Sequence, residues 1–266
     1  MMNRYLKILL SVSHKNFQDF VADRVNFFTY FFTIVLYNAL NIIFLKVVFS
    51  YIPVINGWSF YELLFIFGYF TIVTGLFYML FSWCLWFPNS YIIRGKLDLI
   101  RQYPINPLFY ITVLELGNSI MEINSVVLGI AVLTYSWFKL CLNFDVFIFF
   151  KLIISLTGSF LLISSYFLFF SAVSFKIKST AFMGTPFMEI VQFSQYPVSI
   201  YAHWLRFVLI YIIPVSFIAF FPSASILRAG HYGVFHLITL LVGLGLFYFS
   251  VKFWFYNLRR YESVGN

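Results

Sequence analysis

The chain has 266 residues, of which 62% are hydrophobic and only 10% charged, and its mean hydropathy is +0.91. That is far above a soluble domain and excludes one. The formal net charge of +8 comes from 17 Lys and Arg against nine Asp and Glu; its placement along the chain, set out below, reads as membrane topology and contact with anionic lipid headgroups, and excludes nucleic acid as a partner.

Residues 1–25 are too polar to span a bilayer. On a helix, Leu6, Leu10, Ser13, Phe17, Phe20 and Val21 share one face, and Arg4, Lys7, Lys15 and Asp19 the other. The pattern predicts an interfacial amphipathic helix on the cytoplasmic membrane surface. His14 and Asp19 stand in an H-x-x-x-x-D spacing used by glycerolipid acyltransferases. No further motif of such enzymes accompanies it, so chance explains it better.

Residues 26–266 hold six apolar runs of spanning length, near Phe27–Tyr51, Ser59–Phe87, Leu108–Phe138, Val146–Phe175, Trp204–Phe221 and Val234–Tyr256. The first carries Asn38 and Asn41. A short loop with Trp58 and Tyr61 at the interface leads to the second. After it, Gly95 permits a turn, Lys96 to Gln102 forms a short helix, and Pro104 ends it. Leu97 and Ile100 are expected inward; Lys96, Asp98 and Arg101 are expected outward. A mere tether does not need an amphipathic turn bracketed in this way, so a cytoplasmic docking helix is the better reading.

The third run holds Glu115, Asn118 and Glu122, spaced to share one helical face. Glu115 is expected near the cytoplasmic interface. Glu122 lies about 20 Å along the helix from Leu108 and should be deep. Acidic residues inside a span are costly and default to functional hypotheses. With Asn38 and Asn41 these form a candidate polar strip along a substrate path; interhelical hydrogen bonding is the competing reading. A stretch from Phe187 to Phe193 is apolar but too short and broken to span. Pro214 is expected to kink the fifth run, and Phe221–Ser225 to begin a short outer segment that dips back into the membrane.

Thirteen of the 17 Lys and Arg fall in the N-terminal segment or beside the inner ends of the second, fourth, fifth and sixth runs, leaving Lys46, Lys139, Lys151 and Arg228 on the other side. Cytoplasmic segments carry the cationic excess. Both termini are therefore expected in the cytoplasm, in a multi-pass protein of the plasma (inner) membrane.

Little else carries chemistry. Cys84 and Cys141 form no metal spacing and no disulfide framework. No Gly-rich phosphate loop is present, so no ATP-hydrolysing site is expected in this chain, and no hydrolase or metalloprotease motif stands out. No catalytic residue, metal or resident cofactor is expected.

Read together, Ser59–Phe60–Tyr61–Glu62–Leu63–Leu64 with Gly68, the Gly95–Lys96–Leu97–Asp98 segment with Pro104 and Pro107, Tyr196–Tyr201 leading to Ile213–Pro214–Val215 and Phe221–Pro222, and the tail Arg260–Gly265 make nearly the whole chain resemble a permease subunit of a type-2 ABC exporter, in a six-span branch. Lys96 departs from the acidic residue usual after the Gly, and Arg101–Gln102–Tyr103 from the usual Arg–Pro. The resemblance implies an all-α membrane fold with six spans, an interfacial N-terminal helix and a coupling helix. It also implies two separate ATPase subunits carrying ATP and Mg, and a second permease, identical or paralogous. Gly95, Lys96, Leu97, Asp98, Ile100 and Arg101 would then carry the ATPase contact. A hydrophobic or amphiphilic cargo suits the apolar, aromatic-rich composition, and Glu122 favours a cationic group on it. An ion-coupled carrier using Glu122 is the runner-up, and a membrane lipid enzyme using His14 and Asp19 a distant third.

Overall fold

Helix α1, Arg24–Tyr51, is 28 residues long, about 42 Å, and interrupted by no Gly or Pro. It belongs to a computed structural model that describes residues 24–116, 120–177 and 181–262. The expected N-terminal amphipathic helix and Asn118 lie outside the described residues. Of the described side chains of α1 only Asn38 and Leu45 are buried, so this helix lies against the body along a thin seam.

The chain reverses after α1 through Asn56 and Gly57, both at positive φ (47° and 83°), with Ile55 and Trp58 exchanging backbone hydrogen bonds of 3.0 and 2.9 Å. Asn-Gly is the pair such a two-residue turn favours. Helix α2, Phe60–Phe81, starts where the Glu62 carboxylate accepts from both the backbone N–H and the hydroxyl of Ser59, each at 2.9 Å. It continues past a one-residue break into α3, Trp83–Phe87, and then into a π-turn, Pro88–Ile93, opened by a proline that has no N–H to give. Gly95, at φ 67°, redirects the chain into α4, Lys96–Arg101.

Asn106 caps α5, Pro107–Glu115, by accepting from the N–H groups of Leu108 and Phe109 at 3.0 and 3.3 Å. The sequence predicts one helix from Leu108 to Phe138, but the structure interrupts it after Glu115. It resumes as a 3₁₀ turn, Ile120–Glu122, and then α6, Ile123–Lys139. Glu115 and Glu122 therefore do not share the face of one helix. Helix α7, Val146–Val173, returns along the bundle.

The fifth predicted run is corrected outright. Trp204–Phe221 is broken into α9 (His203–Phe207), a π-turn (Val208–Ile212) and a 3₁₀ turn (Val215–Phe217), and its last residues begin α10 (Phe220–Leu227). Ile213 before Pro214 is forced out of the helical region, with φ −125° and ψ 88°. The length of the bundle is covered one segment earlier, by the stretch whose sequence reads as too short and broken to span. Before α9 comes α8, Ala181–Gln192, which starts beside Leu85. It runs on through Gln195 to Ser199, whose carbonyl accepts from Asn56 at 2.8 Å, at the opposite end of the bundle. Arg206 bonds the carbonyls of Val198 and Ser199 at 3.0 and 3.1 Å, so it belongs to that end too. The cation bias becomes twelve to five rather than thirteen to four, with its direction unchanged. After α11 (Ala229–Tyr232), helix α12, Phe235–Arg259, completes the described chain.

Among the described residues, four helices are long and apolar enough to cross a membrane: α1 from Phe28, α2, α7 and α12. The sequence leads one to expect six spans; the described residues show four helices of that length and apolarity. Helices α7 and α12 meet at glycine: a Cβ on Gly243 would fall 2.3 Å from the carbonyl oxygen of Gly158, so only bare backbone allows the approach. Gly68 and Gly129 do the same for α2 and α6, where a Cβ on Gly68 would meet the Leu133 backbone nitrogen at 2.7 Å. Helix α10 is the most enclosed element, with every residue from Phe220 to Ile226 buried against α2, α7 and α12. The expected dip back into the membrane is therefore a buried helix, and Phe221 stacks on Phe235 at 4.5 Å.

Candidate functional site: the α4 segment and the Glu122 cavity

Helix α4 sits at the end of the bundle opposite the Asn56–Gly57 turn. Leu97 and Ile100 are buried in the chain's own core, inward as their spacing predicts, and so are not free for the ATPase contact that the resemblance implies for them. Lys96 and Arg101 are exposed, and Asp98 is half-buried. The Arg101 guanidinium lies 5.8 Å from the Tyr261 ring centre, just past the end of α12, and Tyr261 in turn packs edge-on against Phe175. Leu97 and Ile100 thus hold α4 on the body, while Lys96 is exposed and Arg101, also exposed, lies beside the Tyr261 ring. Sequence reasoning missed Leu99, which is 61% exposed between them, and Tyr103 just beyond, 52% exposed. The signal was present: in a single helical turn, Leu99 cannot share the face of Leu97 and Ile100.

The intramembrane polar residues are not one strip. Glu115 accepts from the hydroxyl of Tyr91, on the π-turn, and ties α5 to the segment that leads into α4. Asn41 spends its amide on the Tyr37 carbonyl at 2.9 Å. Neither lines a cavity with Glu122. Asn38 and Glu122 do come together, in a cavity of about 400 Å³ between α1, α2 and the start of α6. Glu122 accepts from the Tyr30 hydroxyl on one oxygen and from Ser125 at 3.1 Å on the other. Tyr37 and Tyr78 also line the cavity, as does Gln195 at the end of the α8 passage. Tyr78 lies within electrostatic reach of both Glu122 and Glu189. The sequence marked Glu122 but not its neighbours. Tyr30 is 92 residues away along the chain, and nothing local to it predicts the pairing.

At the far end, Arg228 grips Glu62 with Nε and one terminal nitrogen, at 2.9 and 3.0 Å, and stacks over the Trp58 ring at 3.7 Å. The same guanidinium donates to the Gly57 carbonyl, which fixes the Asn-Gly turn onto the buried α10. The side chains of this pair keep 30% and 15% of their surface, so the ions are partly desolvated.

No solved structure and no curated protein matches this chain. Residues 35–265 match the model of a family described as ABC-2 family transporter protein. That match takes in α4, the Glu122 cavity from Asn38 onward and the α10 plug. With helices long enough to cross a membrane, it shows that this multi-pass membrane protein belongs to the ABC-2 family of transporters.

Proposed function

We propose that this chain is the permease subunit of an ATP-driven exporter, moving a hydrophobic or amphiphilic substrate out of the cytoplasm or inner leaflet. Two ATPase subunits carrying ATP and Mg act on it, beside a second permease, identical or paralogous. Membership of the family makes an ATPase partner part of the assembly; the numbers and the direction are our reading. In it, the six traversals are α1, α2 with α3, α5 with α6, α7, α8 extended to Ile200, and α12. Both termini lie in the cytoplasm of a plasma (inner) membrane protein.

The observation that carries this reading is the mounting of α4. Its apolar residues Leu97 and Ile100 are consumed by the core, yet Leu99 is left bare between Lys96 and Arg101. An apolar residue ringed by cations, at the end of the bundle where cations concentrate, suits a protein contact better than lipid or water. An ATPase pressing there acts on the end of α12 through Arg101 and Tyr261.

The test is affinity purification of the tagged chain. ATPase subunits should co-purify with the wild type. Leu99→Asp should lose them while inserting normally, because it charges the bare face and touches no core contact. Retention of the ATPases by that variant would refute the docking role of α4. Transport persisting after ATP depletion would instead favour an ion-coupled carrier using Glu122.

A further inference from the structure

The structure points to the Glu122 cavity as a binding site for the cationic head of an amphiphile, an alkylated ammonium borne on an apolar tail. As cargo recognition this rests on the exporter reading; as binding it stands alone.

The volume, about 400 Å³, falls in the range of small-molecule sites. Its lining sorts by chemistry. Tyr30, Tyr78, Glu122 and Ser125 cluster at one end, and Ile34, Phe67 and Phe70 extend from them along α1 and α2. Tyr78 and Phe67 are eleven residues apart, about 16 Å of helix, which is room for a head and part of a tail.

Four of the other polar side chains in the wall are already engaged in their own helices. Thr33, Thr71 and Thr74 each donate to a carbonyl four residues back in their own helix, and Asn38 donates its amide to Ile34. They therefore turn little hydrogen-bonding capacity toward a guest. Glu122 differs. It accepts one hydrogen bond on each oxygen, where a carboxylate has about four acceptor sites.

The acidic residues nearest the cavity are Glu122, in its wall, and Glu189, within electrostatic reach of Tyr78. Glu122 and Glu189 both act on Tyr78. Among the described residues no Lys, Arg or His pairs with Glu122, the ion pair found being Arg228 with Glu62. An acidic group at this depth calls for a positive partner. A carboxylate alone would accept any cation. Tyr30, Tyr37 and Tyr78 beside it add aromatic faces, and a carboxylate among aromatic faces favours a weakly hydrated alkylammonium over a small, strongly hydrated metal ion.

The experiment is equilibrium binding of radiolabelled dodecyltrimethylammonium to the full chain in a neutral maltoside detergent. Competitors are its neutral isostere, with carbon in place of nitrogen, and sodium ion. The isostere should compete at least about tenfold more weakly than the ammonium, and sodium more weakly still. Glu122→Gln should weaken binding of the ammonium about tenfold and leave that of the isostere unchanged. Tyr78→Leu, which leaves both Glu122 hydrogen bonds in place, should weaken the ammonium alone, and keeps the test decisive if Glu122→Gln does not fold. Equal competition by the isostere, equal competition by sodium, or full affinity in both variants would overturn the site. None of these outcomes depends on an ATPase. Failure of ATPase subunits to co-purify with the wild-type chain would refute the exporter reading and leave the binding site standing.

Discussion

Single side chains in this protein do their work by joining segments far apart in the chain. Arg228 shows it most fully: it meets Glu62 at both oxygens, Gly57 at its carbonyl and Trp58 at its ring face. A lysine has one compact ammonium, so it cannot serve the two oxygens, the carbonyl and the ring together. Arg228→Lys should therefore destabilise the protein by about 1.5–3 kcal/mol, the range for hydrogen bonds to charged groups. The measurement is loss of helical signal on heating in detergent, with Glu62→Gln run beside it. If the pair is the main contribution, the double variant should cost little more than either single one. Additive losses would assign the effect to the Trp58 stack instead. Glu62 was visible in the sequence only as part of a motif. Its partner lies 166 residues on, a separation that no local pattern reports.

At the scale of elements, two kinds of signal differ in how well they survive folding. Helix α4 was legible because its bounds are backbone chemistry: Gly95 takes a positive φ, Pro104 cannot continue a helix, and Leu97 and Ile100 fall on one side. The fifth run was not legible, because hydropathy reports burial without saying what does the burying. An apolar segment enclosed by other helices scores like one enclosed by lipid. Val215 to Ile226 is of the first kind, and its Ser216, Ser223 and Ser225, all buried, were the warning. The glycine contacts between helices were equally hidden, since nothing near Gly158 in sequence points to Gly243. They make a strong prediction. Gly243→Val would drive a branched side chain into the Gly158 carbonyl, so α7 and α12 must separate. The variant should insert but run as an unfolded or aggregated species on size exclusion. Gly245→Val, on the same helix with nothing within 4 Å of its Cβ, should behave as wild type. Equal behaviour of the two would mean that the close approach is not what holds these helices.

Across the whole molecule, the cations and the ends of the bundle agree. The Asn56–Gly57 turn, Arg228 and the α6–α7 turn lie at one end, and α4, Lys176 and the end of α12 at the other. The protein carries its own topological probe. Cys84 is buried and Cys141, in the α6–α7 turn, is exposed. A membrane-impermeant maleimide should label intact cells at Cys141, and Cys141→Ser should abolish the labelling. Gln102→Cys in that background should react only after permeabilisation. Labelling of Gln102→Cys in intact cells would invert the orientation and with it the export direction.

The thin seam along α1 has a mechanical consequence. Helices α7 and α12 are locked by glycine, and α12 runs about 37 Å from the Phe221–Phe235 stack to the residue pair beneath α4. A push at α4 therefore travels as the displacement of a stiff rod. Helix α1, with two buried side chains in its described length, is not part of that rod. It forms one wall of the Glu122 cavity, and the opposite wall, α2, belongs to the stiff block. The width of the cavity is thus set from outside, by whatever presses on the lipid-facing side of α1.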